Sequence, residues 1–132
     1  MKKYIILGII LFAVLVSFSC KNTNTPIAPV KQEVKENVRY RLFPTENIWT
    51  FLKLDTRNGK IWQVQYSISN DNRGEIVLNN NALVSSEVAE NGRFTLHPTQ
   101  NMFNFILLDQ TDGKMWQVQW SMEDGNRGII PM

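Results

Sequence analysis

The chain has a single histidine, His97, and a lone imidazole can act as a general base or bind a metal ion. One sequence unit occurs twice in this chain, and the residue of the first copy that aligns with His97 is Phe43. This position therefore accepts an aromatic ring without requiring an imidazole. The chain also has only one cysteine, and one histidine with one cysteine is too few for a zinc site. We therefore expect His97 to be structural, and we expect no metal ion or other cofactor.

Two aspartates, Asp55 and Asp109, could serve as catalytic carboxylates, but each begins a tight turn that ends in Asn-Gly or Asp-Gly. Aspartate is favoured there because its carboxylate accepts hydrogen bonds from turn amides. Arg73 and Arg127, each in an Asn-Arg-Gly segment, could bind a carboxylate or phosphate, or form a salt bridge within the domain. The sequence contains no glycine-rich phosphate loop and no nucleophile elbow. These features predict a protein that is not an enzyme, with an unrecognised hydrolase as the alternative.

Aromatic and amide side chains are the better candidates for binding, because a ring can stack on a sugar and an amide can hydrogen-bond its hydroxyls. Trp49 and its counterpart Phe103 are predicted to lie on the strand face opposite Trp62, as an exposed apolar patch or one covered by the chain between the repeats. Each copy also has a Trp-Gln-Val-Gln segment, whose two amides point the same way and either bind a ligand or hydrogen-bond across strands. The candidate binding surface comprises Trp49, Phe103, Gln63, Gln65, Gln117 and Gln119.

These residues recur because one sequence unit occurs twice. Residues 39–76 align with residues 93–130 without a gap, at an offset of 54 positions, and residues 77–92 link the two copies. The identical pairs include Pro44/Pro98, Asp55/Asp109, Gly59/Gly113, Trp62/Trp116 and Arg73/Arg127.

Within each copy apolar and polar residues alternate, which indicates β-strands, and the Asn-Gly or Asp-Gly turn between two such stretches predicts a β-hairpin. Each copy is therefore predicted to form an antiparallel meander of three to four strands. Because a lone meander is marginally stable, we predict an all-β fold in which two meanders pack as a pseudo-twofold sandwich or partly open barrel. Its expected core consists of Trp62, Val64, Tyr66, Trp116, Val118 and Trp120.

The N-terminus has the features of an export signal. Lys2 and Lys3 precede an apolar run of about 15 residues, shorter than the roughly 20 that a membrane-spanning helix needs. The run ends at Ser19-Cys20, which resembles the lipobox of bacterial lipoprotein precursors, with Ser17 where that family usually has leucine. The resemblance implies cleavage before Cys20, lipidation of that cysteine and attachment to a membrane. An uncleaved signal anchor is the alternative.

The chain is thereby divided into three parts. Residues 1–19 are the expected signal peptide, and residues 20–38 are the lipidated cysteine with a polar, proline-containing tether. Residues 39–132 are the duplicated β domain. Removal of the signal peptide leaves 12 basic and 12 acidic residues, and a neutral chain without a basic stripe is a poor ligand for nucleic acid.

The hairpin also carries a resemblance. Residues 51–62, with Leu-Asp, a short turn, Gly-Lys and a strand bearing tryptophan, look like the hairpin of quinoprotein-type β-propeller repeats. Two copies are too few to close a propeller, which takes about four to eight blades, so the likeness implies neither cofactor nor activity. The repeated Trp-Gln-Val-Gln pattern also resembles small uncharacterised bacterial envelope proteins, a family that brings no function with it.

Together these observations favour a lipid-anchored, non-enzymatic protein-interaction module. It would lie in the bacterial envelope, on the periplasmic or outer-surface side of a membrane, with another envelope protein as its partner. The alternative is a lipoprotein that binds a glycan or a cell-wall fragment.

Overall fold

Residues 37–132 fold into eight β-strands arranged as two antiparallel four-stranded sheets. Sheet 1 contains β1 (Tyr40–Pro44), β2 (Thr50–Asp55), β3 (Ile61–Gln65) and β4 (Gly74–Asn79) in that order. Sheet 2 contains β5 (Phe94–Pro98), β6 (Asn104–Asp109), β7 (Met115–Gln119) and β8 (Gly128–Pro131). One short 3₁₀ turn precedes the last strand of each sheet, at Asn70–Asn72 and Asp124–Asn126. The predicted all-β fold of two meanders is confirmed.

The computed structural model describes residues 37–132, which belong to one compact unit. The expected signal peptide, Cys20 and the tether as far as residue 36 lie outside the described residues. Within residues 37–132, no helix is both long enough and apolar enough to cross a membrane.

Each sheet is centred on the predicted hairpin, whose turn follows from the local sequence. Gly59 and Gly113 have φ values of +78° and +77°, in the left-handed region that glycine enters at low cost. Asp55 accepts a hydrogen bond from the Arg57 amide at 3.1 Å, and Asp109 accepts the equivalent bond in the second copy at 2.9 Å. The register also agrees between sheets, since Phe51 lies opposite Val64 and their counterparts pair in the same way.

The two sheets bury opposite faces. In sheet 1, the face packed against sheet 2 is the inner face; it carries Thr50, Leu52, Leu54, Ile61, Gln63 and Gln65. In sheet 2, the buried face carries Phe94, Leu96, Phe105, Leu107, Trp116, Val118 and Trp120. At the 54-residue offset, the buried face of sheet 2 corresponds to the face that sheet 1 turns to solvent.

The predicted core is therefore right for the second copy and wrong for the first. Trp120 is 1% exposed, whereas its counterpart Tyr66 is 45% exposed, and Trp62 and Val64 are only partly buried. Because equivalent faces do not meet, the sheets stack head to tail instead of about a pseudo-twofold axis. The alternation along β3 does not show which of its faces is buried, because the neighbouring strand β2 has apolar side chains on both faces.

The linker between the repeats covers the hairpin turn of sheet 1. The Leu83 amide donates to the Asn58 carbonyl at 2.8 Å, and a Cβ on Gly59 would lie 2.7 Å from Leu83 Cδ1. The linker therefore packs at the turn end of the sheet, and Trp49 at the other end remains 39% exposed.

Candidate functional site

The open face of sheet 1 exposes several large apolar side chains beside one another. It consists of Tyr40, Leu42, Trp49, Phe51, Lys53, Trp62, Val64, Tyr66, Glu75 and Val77. Leu42 is 57% exposed and Val77 is 50% exposed. The Tyr66 ring packs against Trp49 and Phe51, with ring centroids 5.4 and 5.8 Å apart, so the three rings form a continuous aromatic cluster on this face.

One ion pair interrupts the apolar character of this face. Lys53 Nζ donates to the Glu75 carboxylate at 2.6 Å and lies 4.8 Å from the centroid of the Trp62 ring. In sheet 2 the corresponding residues are Leu107, which is fully buried, and Ile129, which packs against the core. The pair is neutral in itself, so it leaves no charge on the face that a partner must neutralise.

The open face of sheet 2 corresponds to the inner face of sheet 1. It carries His97, Asn104, Ile106, Leu108, Met115, Gln117, Gln119 and Ile130. Met115 is 44% exposed and Ile130 is 62% exposed. Gln117 Nε2 donates to Asn104 Oδ1 at 3.1 Å, so its amide is held across the two central strands. His97 is exposed, and no cluster of metal-binding side chains occurs among residues 37–132.

The structure separates the four glutamines of the candidate surface. Gln63 is fully buried between the sheets, its Nε2 lies 3.8 Å from Met122 Sδ, and its Oε1 has no hydrogen-bond partner within residues 37–132. Gln65 is on the same inner face but half-buried. Gln117 and Gln119 point away from the core and line a groove beside β8. The six candidate residues therefore do not form one surface.

A groove beside Phe103 has a different character from the open faces. Its cavity volume is about 410 Å³. Phe103 is 42% exposed and stacks on Trp120 at 5.4 Å, which fixes one aromatic wall. The polar lining comprises Asn101, Asn104, Gln119, Ser121, Glu123 and Asn126. An aromatic ring next to several amides and a carboxylate is suited to hydrogen-bonding a polyhydroxylated ligand.

The aspartates are engaged in structural contacts. Asp55 and Asp109 are 1% and 0% exposed, and each pairs with the arginine that precedes the first strand of its sheet, Arg39 at 3.2 Å and Arg93 at 2.8 Å. The hydrogen bonds to these carboxylates raise the pKa of both arginines above their ordinary value. Both carboxylates also accept turn amides, so they hold the turn and the incoming strand together.

The two arginines of the Asn-Arg-Gly segments close the loops that precede β4 and β8. Arg73 Nε donates to the Ser67 carbonyl at 2.7 Å, and Arg127 Nε donates to the Ser121 carbonyl at 2.6 Å. Arg127 also forms an ion pair with Asp124. Among residues 37–132 Arg73 forms no ion pair, so the salt bridge expected for both arginines occurs in the second copy only. These guanidinium groups have backbone carbonyls as their main partners.

Sequence reasoning named Gln117 and Gln119 on the open face of sheet 2 but missed its apolar residues, and it named only Trp49 on the open face of sheet 1. The prediction that Trp49 lies on the face opposite Trp62 is wrong, because both side chains belong to the open face of sheet 1. The available signal was the apolar character of both faces of β2 and β6, which leaves one apolar face uncovered in each copy. No protein-family model, curated protein or solved structure matches the chain. The candidate sites are therefore the two open faces and the Phe103 groove.

Proposed function

We propose that this protein is a lipid-anchored, non-enzymatic interaction module of the bacterial envelope, and that it binds a protein partner through the open face of sheet 1. The observation that carries the proposal is that sheet 2 buries the residues at the corresponding positions. Leu96 and Trp116 are 3% and 8% exposed there, whereas the matching Leu42 is 57% exposed and Trp62 lies at the surface of an uncovered sheet. The open face therefore has the composition of a surface that this fold buries.

The ring-on-ring packing of this face also supports protein binding. Aromatic residues are enriched in the buried centre of protein interfaces, because they bury a large area with few rotatable bonds. Tyr66, Trp49 and Phe51 are already held by contacts with one another, so binding costs them little conformational freedom. Exposed apolar surfaces of this kind on soluble domains commonly mark interaction sites.

The partner surface can be tested by photo-crosslinking in intact cells. A photoreactive residue at Val77, on the open face, is expected to capture a protein, and Tyr66→Arg is expected to abolish that product. The matched control is the same probe at Val88, which is 53% exposed but lies on the linker. Equal products from both positions, or none from Val77, would contradict the proposal.

The membrane anchor rests on Cys20 and the signal-like segment before it. Two or more acyl chains give stable attachment, whereas one chain binds marginally. Cys20→Ala is expected to prevent incorporation of labelled palmitate and to move the protein from the membrane fraction. Retention of the label by this variant would exclude lipidation at Cys20.

A second candidate function is supported by the Phe103 groove. Its aromatic wall and amide lining favour a glycan or cell-wall fragment, and the groove is distinct from the open face of sheet 1. Titration calorimetry with soluble peptidoglycan fragments should show binding that Phe103→Ala abolishes and Trp49→Ala leaves unchanged. Binding that is equally insensitive to both substitutions would place the ligand elsewhere.

A further inference from the structure

We propose that the partner of the open face of sheet 1 is the open face of sheet 2 in a second copy of this chain, so that chains assemble head to tail into a closed ring. The inference rests on the proposed function, because it names the protein that the open face binds. It follows from the way in which the two sheets of one chain already pack.

The interface between sheets 1 and 2 joins two different faces. One half is the inner face of sheet 1, and the other half is the buried face of sheet 2. At the 54-residue offset, the open face of sheet 2 repeats the first half, with Ile106, Leu108 and Met115 at the positions of the buried Leu52, Leu54 and Ile61. The open face of sheet 1 repeats the second half. Each chain therefore exposes both halves of an interface that it already uses internally.

An interface between two different faces is heterologous, and repeating it generates either a closed ring or an open filament. The two sheets lie with equivalent ends together. The connection from β1 to β2 and the connection from β5 to β6 line one small cavity, to which Pro44, Thr45, Pro98 and Thr99 contribute. We therefore take the step from one sheet to the next to be a rotation about one axis, and repeating such a step closes a ring. Closed rings of four-stranded sheets hold about four to eight sheets, so about two to four copies of this chain would complete one.

Specific contacts across the new interface follow from those within the chain. Met122 lies against the buried Gln63 amide, and the residue equivalent to Met122 is Ile68, which is 90% exposed. Ile68 of one copy is therefore expected to cover Gln117 of another. Within the chain the Phe94 amide also donates to the Thr56 carbonyl at 2.8 Å, which links the two sheets through their backbones.

The Lys53–Glu75 pair makes the interface between chains weaker than the one within a chain. It occupies the positions where sheet 2 presents the apolar Leu107 and Ile129. Desolvating an ion pair has a cost even when the pair is neutral overall, so assembly is expected to be reversible. The double substitution Lys53→Leu with Glu75→Ile should strengthen it, lowering the concentration at which rings form by about tenfold or more.

The test uses the full chain, purified in detergent, with its mass measured by native mass spectrometry. Leu42→Arg with Val77→Arg blocks the open face of sheet 1, and Met115→Arg with Ile130→Arg blocks that of sheet 2. These positions are exposed, so the fold should tolerate the changes, and Val88→Arg on the linker is the matched control. The unchanged chain and the control should give one discrete mass of about two to four chains.

Mixing the two blocked variants provides the decisive result. Each variant alone should be monomeric, and the mixture should give a dimer with one copy of each, because only one pair of intact faces remains. Dimers of the sheet 2 variant alone would show like-with-like pairing through sheet 1 and overturn the proposal. An unlimited series of masses for the unchanged chain would overturn ring closure. A monomeric unchanged chain whose Val77 probe still captures a different protein would overturn self-assembly but leave the proposed function standing.

Cross-linking can then check the register. Ile68→Cys with Gln117→Cys, treated with a short bifunctional thiol reagent, should give covalent oligomers that neither single substitution gives. Gln63→Cys with Met122→Cys is the positive control, because its cross-link lies within one chain. Oligomers absent from the first pair, in protein of ring-sized mass, would refute the proposed register.

Discussion

Sheets 1 and 2 are built from one repeated sequence pattern and have the same strand register, yet they bury opposite faces. The Trp62 face of sheet 1 is open, and the equivalent Trp116 face of sheet 2 is covered. A β-sheet of this sequence can therefore use either face for packing, and its neighbour decides which one is buried. In a tandem repeat, head-to-tail stacking leaves two complementary faces at the ends of the array. The difference between the sheets thus defines both the core and the candidate binding surfaces.

The largest expected difference between the sheets concerns the paired tryptophans. Trp116→Ala should lower the free energy of unfolding by about 3–5 kcal/mol, because it removes a large side chain from the core. Trp62→Ala should cost less than about 1.5 kcal/mol in the monomer, since this ring lies on the open face. Urea denaturation of both variants measures the difference. The experiment is done at a protein concentration where the chain is monomeric, because formation of the ring would bury both faces. Equal losses of stability in the monomer would contradict the assignment of Trp62 to an open face.

Much of the fold was predictable because it depends on local chemistry. The 54-residue repeat, the alternation along each strand and the Asn-Gly or Asp-Gly turn were enough to predict two antiparallel meanders. The role of Asp55 in its turn was also predictable, because aspartate at such a position accepts the turn amides.

The choice of buried face was not predictable from alternation alone. In β2, Phe51 and Leu52 lie on opposite faces and both are apolar, so either side could pack. The informative signal was a difference between the copies: Lys53 and Glu75 stand where the second copy has Leu107 and Ile129. Charged residues on one copy of an otherwise apolar face indicate which copy leaves that face open. The glutamines could not be placed for the same reason, because Gln63 and Gln117 share a sequence context but not an environment.

The hairpin turns offer the next comparison. Gly59→Ala and Gly113→Ala should each cost about 1–2 kcal/mol, because both glycines have a positive φ. Gly59→Ala should cost about 1 kcal/mol more, since its new Cβ would meet Leu83 of the linker, whereas nothing lies within 4 Å at Gly113. Thermal unfolding of the two variants tests this. The double variant Gly59→Ala with Leu83→Ala should remove the excess, and its persistence would contradict the close approach of the linker.

The paired glutamines should respond in opposite senses. Gln63→Leu is expected to raise the free energy of unfolding by about 1 kcal/mol, because the buried Oε1 has no hydrogen-bond partner in the described part of the chain. Gln117→Leu should change stability by less than about 0.5 kcal/mol, as expected for a substitution near the surface. Chemical denaturation compares them. A loss of stability for Gln63→Leu would show that its amide is hydrogen-bonded in solution.

The smallest expected effect is a difference between the two hairpin turns in how their contribution to stability depends on pH. Sheet 2 has Asp112 where sheet 1 has Asn58, and the hydrogen bond from Lys114 lowers the pKa of Asp112 below its ordinary value. A lowered pKa means that the folded state favours the carboxylate. The contribution of Asp112 to stability is therefore complete at pH values above the ordinary pKa of an aspartate. It is lost as the pH falls through the lower pKa of the folded state. Asn58 cannot titrate, so sheet 1 has no such contribution.

Asp112→Asn should therefore lower the melting temperature slightly at pH 7, by no more than about 2 °C because the pair is solvent-exposed. The difference from the unchanged chain should vanish once the pH falls below the lowered pKa of the folded state, where the carboxylate is protonated, and it should shrink at high salt. Lys114→Ala is the matched control. When the lysine that hydrogen-bonds Asp112 is absent, Asp112→Asn should change the melting temperature less. A difference that grows as the pH falls would show that the folded state favours the protonated acid, with the opposite sign of linkage.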